Sequence, residues 1–151
     1  MLVLNGEAAS THVDRLVHLD TQRTDLGLDL TVGAVFRVTG AGQLDFGGSE
    51  FAPADREKLS PQRANPDDDY GWWKLERGTY VIRYNEALSL GEGQRAQVFP
   101  HQRLLQAGAT HATFVVDGAQ DPVEVLLMVG DAGCHVKENS RVSRLLITQT
   151  E

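Results

Sequence analysis

The sequence predicts an all-β fold, an antiparallel barrel or sandwich of the jelly-roll type carrying one or two short helices. Three observations carry this expectation. The longest patterned stretch alternates apolar and polar residues with period two, further apolar runs are short, and turn residues separate them. Helical spacing is scarce throughout.

In chain order, the first candidate is a helix between Ala8 and Leu19, where Ser10 or Thr11 would cap Val13 to Val17. From Leu28 to Val38 the residues Leu28, Leu30, Val32, Ala34, Phe36 and Val38 alternate with Asp29, Thr31, Gly33, Val35 and Arg37. The even positions of that strand are expected on the core, with Asp29 and Thr31 together on the other face. Residues 47–71 form a turn-rich polar stretch, read as a long loop. Inside it, Pro53 to Leu59 has proline first, acids early and a base late, which predicts one or two helical turns. Tyr80, Ile82 and Tyr84 alternate with Thr79, Val81 and Arg83 in a second strand. Gln94 to Phe99, Thr113 to Val116, Val123 to Val129 and Val142 to Thr148 complete the strand set.

At 151 residues the chain is read as one domain, 1–151, with a composition of 41% hydrophobic, 23% charged and 7% aromatic residues. Fourteen Lys and Arg against 21 Asp and Glu leave a net charge of −7, which gives no support to sequence-independent binding of nucleic acid or an anionic membrane. A metal-complexed polyanion gripped by a few local cations stays open, because site charge and net charge are separate quantities. Cys134 is the single cysteine, so no intrachain disulfide and no multi-cysteine zinc site is expected, and a reducing, cytoplasmic setting fits. The start of the chain shows neither signal-peptide nor membrane-span character.

Five segments, in order, resemble the motifs of the deoxyuridine triphosphatase and deoxycytidine triphosphate deaminase superfamily, in its archaeal-type form. They are Gly27-Leu28-Asp29-Leu30, Leu75-Glu76-Arg77-Gly78-Thr79-Tyr80, Phe99-Pro100-His101-Gln102-Arg103-Leu104, Val115-Val116-Asp117-Gly118, and Ser140-Arg141-Val142-Ser143-Arg144-Leu145-Leu146-Ile147. Together they cover about residues 20 to 148. The resemblance implies a jelly-roll-like distorted barrel, a homotrimer whose sites are shared between subunits, and nucleoside triphosphate as partner. It also implies Mg2+ bound through the triphosphate, with no direct protein ligand. Asp117 falls where the family's water-activating aspartate stands, and Asp29 on the aspartate of the first motif.

The departures gather at the chemical positions. His101, Gln102 and Arg103 replace the arginine, serine and serine that hold phosphate oxygens, and on a strand Arg103 would share the face of His101. Gln120 stands where an aromatic ring packs on the deoxyribose, and Pro122 where glycine is favoured. Arg141 matches the fourth motif, whereas Arg144 replaces its glutamine. The fifth, glycine-rich motif is missing. A deaminase needs a glutamate on the strand after Asp117; the alignment puts Leu126 there, with Glu124 two residues away. The sequence therefore supports two readings, a nucleotide diphosphatase acting on a deoxynucleoside triphosphate, by resemblance dUTP, and a catalytically silent relative that binds a nucleotide or partner or serves as a scaffold. Deamination is a lesser third.

Asp117 also suits a plain Asp-Gly turn, in which its carboxylate accepts backbone hydrogen bonds. Trp72 and Trp73, beside Tyr70, suit either a stacked base or a cover for the core or an interface. Asp67-Asp68-Asp69 lacks calcium-loop spacing and reads as solvated loop. His12, His18, His101, His111 and His135 include no pair at helical ligand spacing.

Overall fold

Alternation becomes strand almost everywhere the sequence shows it. In the computed structural model, which describes residues 1–150, the chain opens with β1 (Leu2–Val3), α1 (Gly6–Ser10), β2 (Val13–Asp14), α2 (Leu19–Gln22), β3 (Arg23–Thr24) and β4 (Gly27–Gly40). Next come β5 (Asp55–Leu59), β6 (Trp72–Leu75), β7 (Gly78–Tyr84), β8 (Ala87–Ser89) and β9 (Gln94–Pro100). The last third holds α3 (Gln102–Gln106), β10 (Ala109–Thr110), β11 (Phe114–Val116), β12 (Ala119–Gln120), β13 (Glu124–Val129), β14 (Cys134–Lys137) and β15 (Arg141–Gln149).

A curled antiparallel sheet runs β10-β13-β7-β4-β15-β9-β11, with β1 added to β15 and β3 and β5 added to β4. Two smaller sheets, β12-β8-β2 and β14-β6, accompany it. The fold is all-β, as the alternation predicts, with three short helices among the described residues rather than one or two. The core gathers Leu28, Leu30, Val32, Ile82, Leu127, Leu145 and Ile147, each essentially without exposed surface. No helix among the described residues is long and apolar enough to cross a membrane.

β4 departs from the expected alternation in an instructive way. Leu28, Leu30 and Val32 face the core as the pattern requires, but the pairing with β7 slips between Val32 and Ala34. This bulge at Gly33 reverses the parity of the strand, so Val35 enters the core. Phe36 lies instead under the guanidinium groups of Arg56 and Arg83, at 4.2 and 4.9 Å from its ring centre. A Cβ on Gly33 would meet Asn85 Oδ1 at 2.5 Å, which is why glycine occupies the bulge.

Asp29 and Thr31 do lie on the face opposite Leu28 and Leu30, yet that face is not solvent. The helices α1 and α2 pack against β4, and both side chains are buried.

Two helix expectations are corrected. Residues 53–59 do not form helical turns; Asp55–Leu59 is β5, hydrogen-bonded along Val35 to Gly40 of β4. An open strand edge outweighs the weak local helix signals of a five-residue segment, and the long polar stretch is thereby interrupted. Near the amino terminus the helix is Gly6–Ser10, capped by Asn5 Oδ1 accepting from the Ala8 amide at 2.9 Å, while Val13–Asp14 pairs with β8. Ser10 and Thr11 close its far end instead, donating their hydroxyls back to the carbonyls of Glu7 and Ala8.

Candidate functional site

The register of β15 decides where the charged side chains meet. Arg141 lies opposite Thr31 of β4, Arg144 opposite Asp29, and on the other side Arg144 is opposite Phe99 of β9. This brings the segments 27–30, 99–104 and 140–147 together around one carboxylate. Asp29, 1% exposed, accepts from Arg144 Nε at 3.0 Å through Oδ1 and from Arg141 Nη1 at 3.2 Å through Oδ2. Arg141 Nη1 also reaches the Thr21 carbonyl of α2, at 3.3 Å. A carboxylate this deeply buried needs such partners, and the pair of arginines supplies them.

His101 completes the cluster. Its Nδ1 accepts the Arg103 amide at 3.0 Å, capping α3, so the ring proton sits on Nε2, which faces Asp29 Oδ2 at 3.4 Å. Burial pushes the His101 pKa down; Asp29 opposes the shift, while Arg144, Arg141 and Arg103 reinforce it. The histidine is therefore a neutral donor at neutral pH. Residues 102–106 are helical, so the shared strand face expected for His101 and Arg103 does not exist. Arg103 reaches the region from the first turn of α3, and Gln102 beside it is exposed.

A cavity of about 430 Å³ opens next to this cluster. Arg103 and Arg141 line it together with the apolar Val17, Leu104, Val136 and Val142. Gln22 and Thr31 contribute polar atoms, and both are fixed by a buried carboxylate that the sequence did not single out. Glu86 accepts the Thr31 amide at 2.8 Å, the Thr31 hydroxyl at 2.6 Å and Gln22 Nε2 at 2.9 Å. Burial raises its pKa, against the effect of those hydrogen bonds. No spacing signal marks Glu86, which follows Tyr84-Asn85 in an ordinary strand-to-strand turn.

Asp117 lies elsewhere. It follows β11, whose Val116 is opposite Ala96, while His101 follows Pro100 at the other end of β9. The register sets Asp117 level with Arg95 and the Asp29–Arg144 pair level with Phe99, four positions apart, about 14 Å at the usual rise. The Asp117 side chain is exposed, and among the described residues nothing hydrogen-bonds to it, so it is not the bond-accepting residue of an Asp-Gly turn. The turn itself is held from both sides: Leu90 donates to the Gly118 carbonyl at 2.9 Å, Gln120 is opposite Leu88 of β8, and Arg15 grips Asp121 at 2.7 and 3.2 Å.

Glu124 is committed to other work. Arg56 and Arg83 bond its two carboxylate oxygens at 2.9 to 3.1 Å. Burial alone would raise its pKa, but the two guanidinium groups outweigh that and hold the carboxyl below its ordinary range. Leu126 on the same strand is exposed. Trp73 is buried and donates its indole N–H to the Leu59 carbonyl at 3.0 Å, and Trp72 lies under Lys137, so this pair covers the β5–β6–β14 region. Among the described residues, no three His, Cys, Asp or Glu side chains gather as a metal-ligand set.

No family model matches the chain. It is 33% identical over 141 residues to a probable deoxyuridine 5′-triphosphate nucleotidohydrolase of Methanosarcina acetivorans, covering 91% of this chain and 79% of that protein. A protein of the same description from Archaeoglobus fulgidus is 29% identical over 154 residues, covering 97% and 87%. Among solved structures, the 2′-deoxycytidine 5′-triphosphate deaminase from Agrobacterium tumefaciens matches 98% of the chain with a TM-score of 0.69 at 18% identity. The present chain spans 48% of that deaminase, a likeness that bears on the fold alone. One identical residue in three across nine-tenths of the sequence goes further than shared architecture, and the chain belongs to the deoxyuridine 5′-triphosphate nucleotidohydrolase family.

Proposed function

We propose that the protein is a nucleotide diphosphatase that hydrolyses a deoxynucleoside triphosphate, dUTP by kinship, to the monophosphate and pyrophosphate, at a site shared between copies of the chain. One observation carries the reading: an exposed, unengaged carboxylate, Asp117, stands four β9 positions, about 14 Å, from the level of the cation cluster at Asp29. A water-activating base and a phosphate grip set apart along the strand are readily brought to one α-phosphorus when different copies supply them, and a closed homotrimer is the proposed assembly.

In this reading Asp117 takes a proton from water as its oxygen attacks the α-phosphorus, and the bond to the bridging oxygen breaks to release pyrophosphate. Arg103, Arg141 and Arg144 hold phosphate oxygens, with His101 and Gln102 beside them, and buried Asp29 fixes the arginines in place. Gln120 sits by the sugar. Magnesium bound to the triphosphate would supply neutralising charge, held through phosphate oxygens rather than by a protein side chain. A cytoplasmic location belongs to the same proposal. The engagement of Glu124 with two arginines speaks against deamination, and the named relatives speak against a silent scaffold.

The test is a pyrophosphate-release screen with magnesium across the ribo- and deoxynucleoside triphosphates. Turnover of dUTP is expected; turnover of none, from a well-folded protein, would overturn the proposal.

A further inference from the structure

We propose that the arm formed by residues 42–53 docks on the outer face of β4, β7 and β13 of a second copy of the chain. The proposal rests on the shared assembly put forward above and names the parts that meet. The arm joins β4 to β5 and is held by its own hydrogen bonds. Gln43 and Ala52 exchange backbone bonds at 2.8 and 3.1 Å, and Gln43 Nε2 donates to the Glu50 carbonyl at 2.6 Å. The Asp45 carboxylate accepts the Gly48 and Glu50 amides at 3.0 and 2.9 Å. Yet the apolar side chains on this ordered projection bury little: Leu44 is 87% exposed, Phe51 56% and Phe46 entirely. Large apolar residues gathered on one exposed projection mark an interaction site.

The chain carries a matching surface. Phe36, Val81 and Leu126 lie side by side across β4, β7 and β13, on the face turned away from the core residues Val35, Ile82 and Leu127. Met128 continues the strip, and both it and Leu126 are half exposed. A groove of about 450 Å³ opens here, lined by Val38, Val81 and Leu126 with Arg56 and Glu124 at its rim. Pro53 and Ala54, at the foot of the arm, form one wall. The arm therefore leaves from the edge of the groove, while its exposed tip does not fill it. A second copy supplies the tip. Arm and groove are different patches, so each copy gives one arm and receives one, and the contacts close into a ring.

Charge favours the same pairing. Residues 41–54 include Asp45 and Glu50 and no Lys or Arg. Around the groove Arg56 and Arg83 share the single Glu124, and Lys58 is opposite Phe36. Strand alternation turns Asp55 and Glu57 to the other side of β5. An acidic arm thus meets a face with two positive charges in excess. The three arm side chains bring roughly 500 Å² of surface, and with an equal area of the face about 1,000 Å² leaves water at each contact, enough for a specific interface.

Light scattering over a dilution series of the full chain tests this. Leu44→Ser with Phe46→Ser strips the arm, and Leu126→Asp spoils the face; all three positions are exposed, and circular dichroism checks that the fold is kept. Each variant should raise the dissociation constant of the assembly by about tenfold or more. Mixing the two variants should recover association, since one keeps the groove and the other keeps the arm. A monomeric parent, variants that assemble as the parent does, or a mixture no better than its components would overturn the proposal. Unchanged assembly of the variants together with turnover of dUTP would defeat the docking and leave the hydrolase standing; association lost and recovered as stated, without turnover of any nucleotide, would do the reverse.

Discussion

Ser143 Oγ lies 2.7 Å from His111 Nε2 in the core, and the direction of that hydrogen bond is fixed by its neighbours. His111 Nδ1 faces the Ala112 carbonyl at 2.9 Å and must donate, so Nε2 accepts from Ser143, which in turn accepts from Tyr84 Oη at 2.6 Å. A proton on Nε2 would leave this buried chain with one donor too many. Burial lowers the His111 pKa accordingly and keeps Tyr84 protonated far above its ordinary range.

The sign of the resulting pH effect follows. Above the unfolded value of about 6.5, His111 is neutral in both states and costs nothing. As pH falls through 6.5 the unfolded chain takes up a proton that the folded chain refuses, and stability declines by up to about 1.4 kcal/mol per pH unit until the lowered folded pKa is reached. His101, also lowered, adds in the same direction; Glu86, raised by burial, opposes it. Thermal midpoints measured between pH 7.5 and 5.5 should fall more steeply for the parent than for His111→Gln. Parallel curves would remove His111 from the explanation.

Replacing Glu86 with Gln should destabilise the protein although the shape is nearly unchanged. Three donors converge on this carboxylate, and an amide nitrogen would confront at least one of them. The expected loss is about 1–3 kcal/mol, read from urea unfolding. An unchanged midpoint would mean that Thr31 and Gln22 reorient at no cost.

Asp117→Asn should leave folding intact, since nothing described bonds to the side chain, and lower hydrolysis by about two to four powers of ten. Steady-state pyrophosphate release measures it. Full activity in the variant would remove Asp117 from the chemistry.

Sugar selectivity should be weak, because Gln120, half-buried on β12, is a flexible amide that can hydrogen-bond a 2′-hydroxyl. Non-hydrolysable UTP and dUTP analogues should bind within about tenfold of each other, about 1.4 kcal/mol, and Gln120→Tyr should restore preference for the deoxy form. A strong deoxy preference in the parent would place the sugar elsewhere.

How much of this was legible in the sequence depends on what kind of interaction decided each feature. Period-two alternation located β4 and β7, and short apolar runs between turn residues located β9, β11, β13 and β15. Asp29, His101, Arg141 and Arg144 were legible as a set by resemblance, and the structure gathers them. Their mutual geometry was not, since it depends on the register of β15 between β4 and β9. β5 was misread because its helix-like signals are local while its partner edge lies some twenty residues back in the chain. Helices of four and five residues, such as α2 and α3, are too short to show a period, and both begin at a histidine, an uncommon cap. Glu86 and His111 were invisible as buried groups, because a polar residue's burial is set by tertiary partners rather than by its neighbours in sequence.

The bulge at Gly33 makes β4 a strand written in two phases. Before it, odd positions carry the electrostatics, with Asp29 and Thr31 turned toward the arginines and Glu86; after it, the odd Val35 belongs to the core and Phe36 to a cationic outer layer. Deleting Gly33 would put Leu28 to Val38 in a single phase and would be ruinous, since every side chain beyond it would exchange inside for outside while the pairing with β5 and β7 slid by one residue. The irregular residue thus insulates one end of the strand from the other. Substitutions that retune the arginine-lined end need not be answered by changes in the hydrophobic packing of the far end, and each half is free to drift under its own constraint.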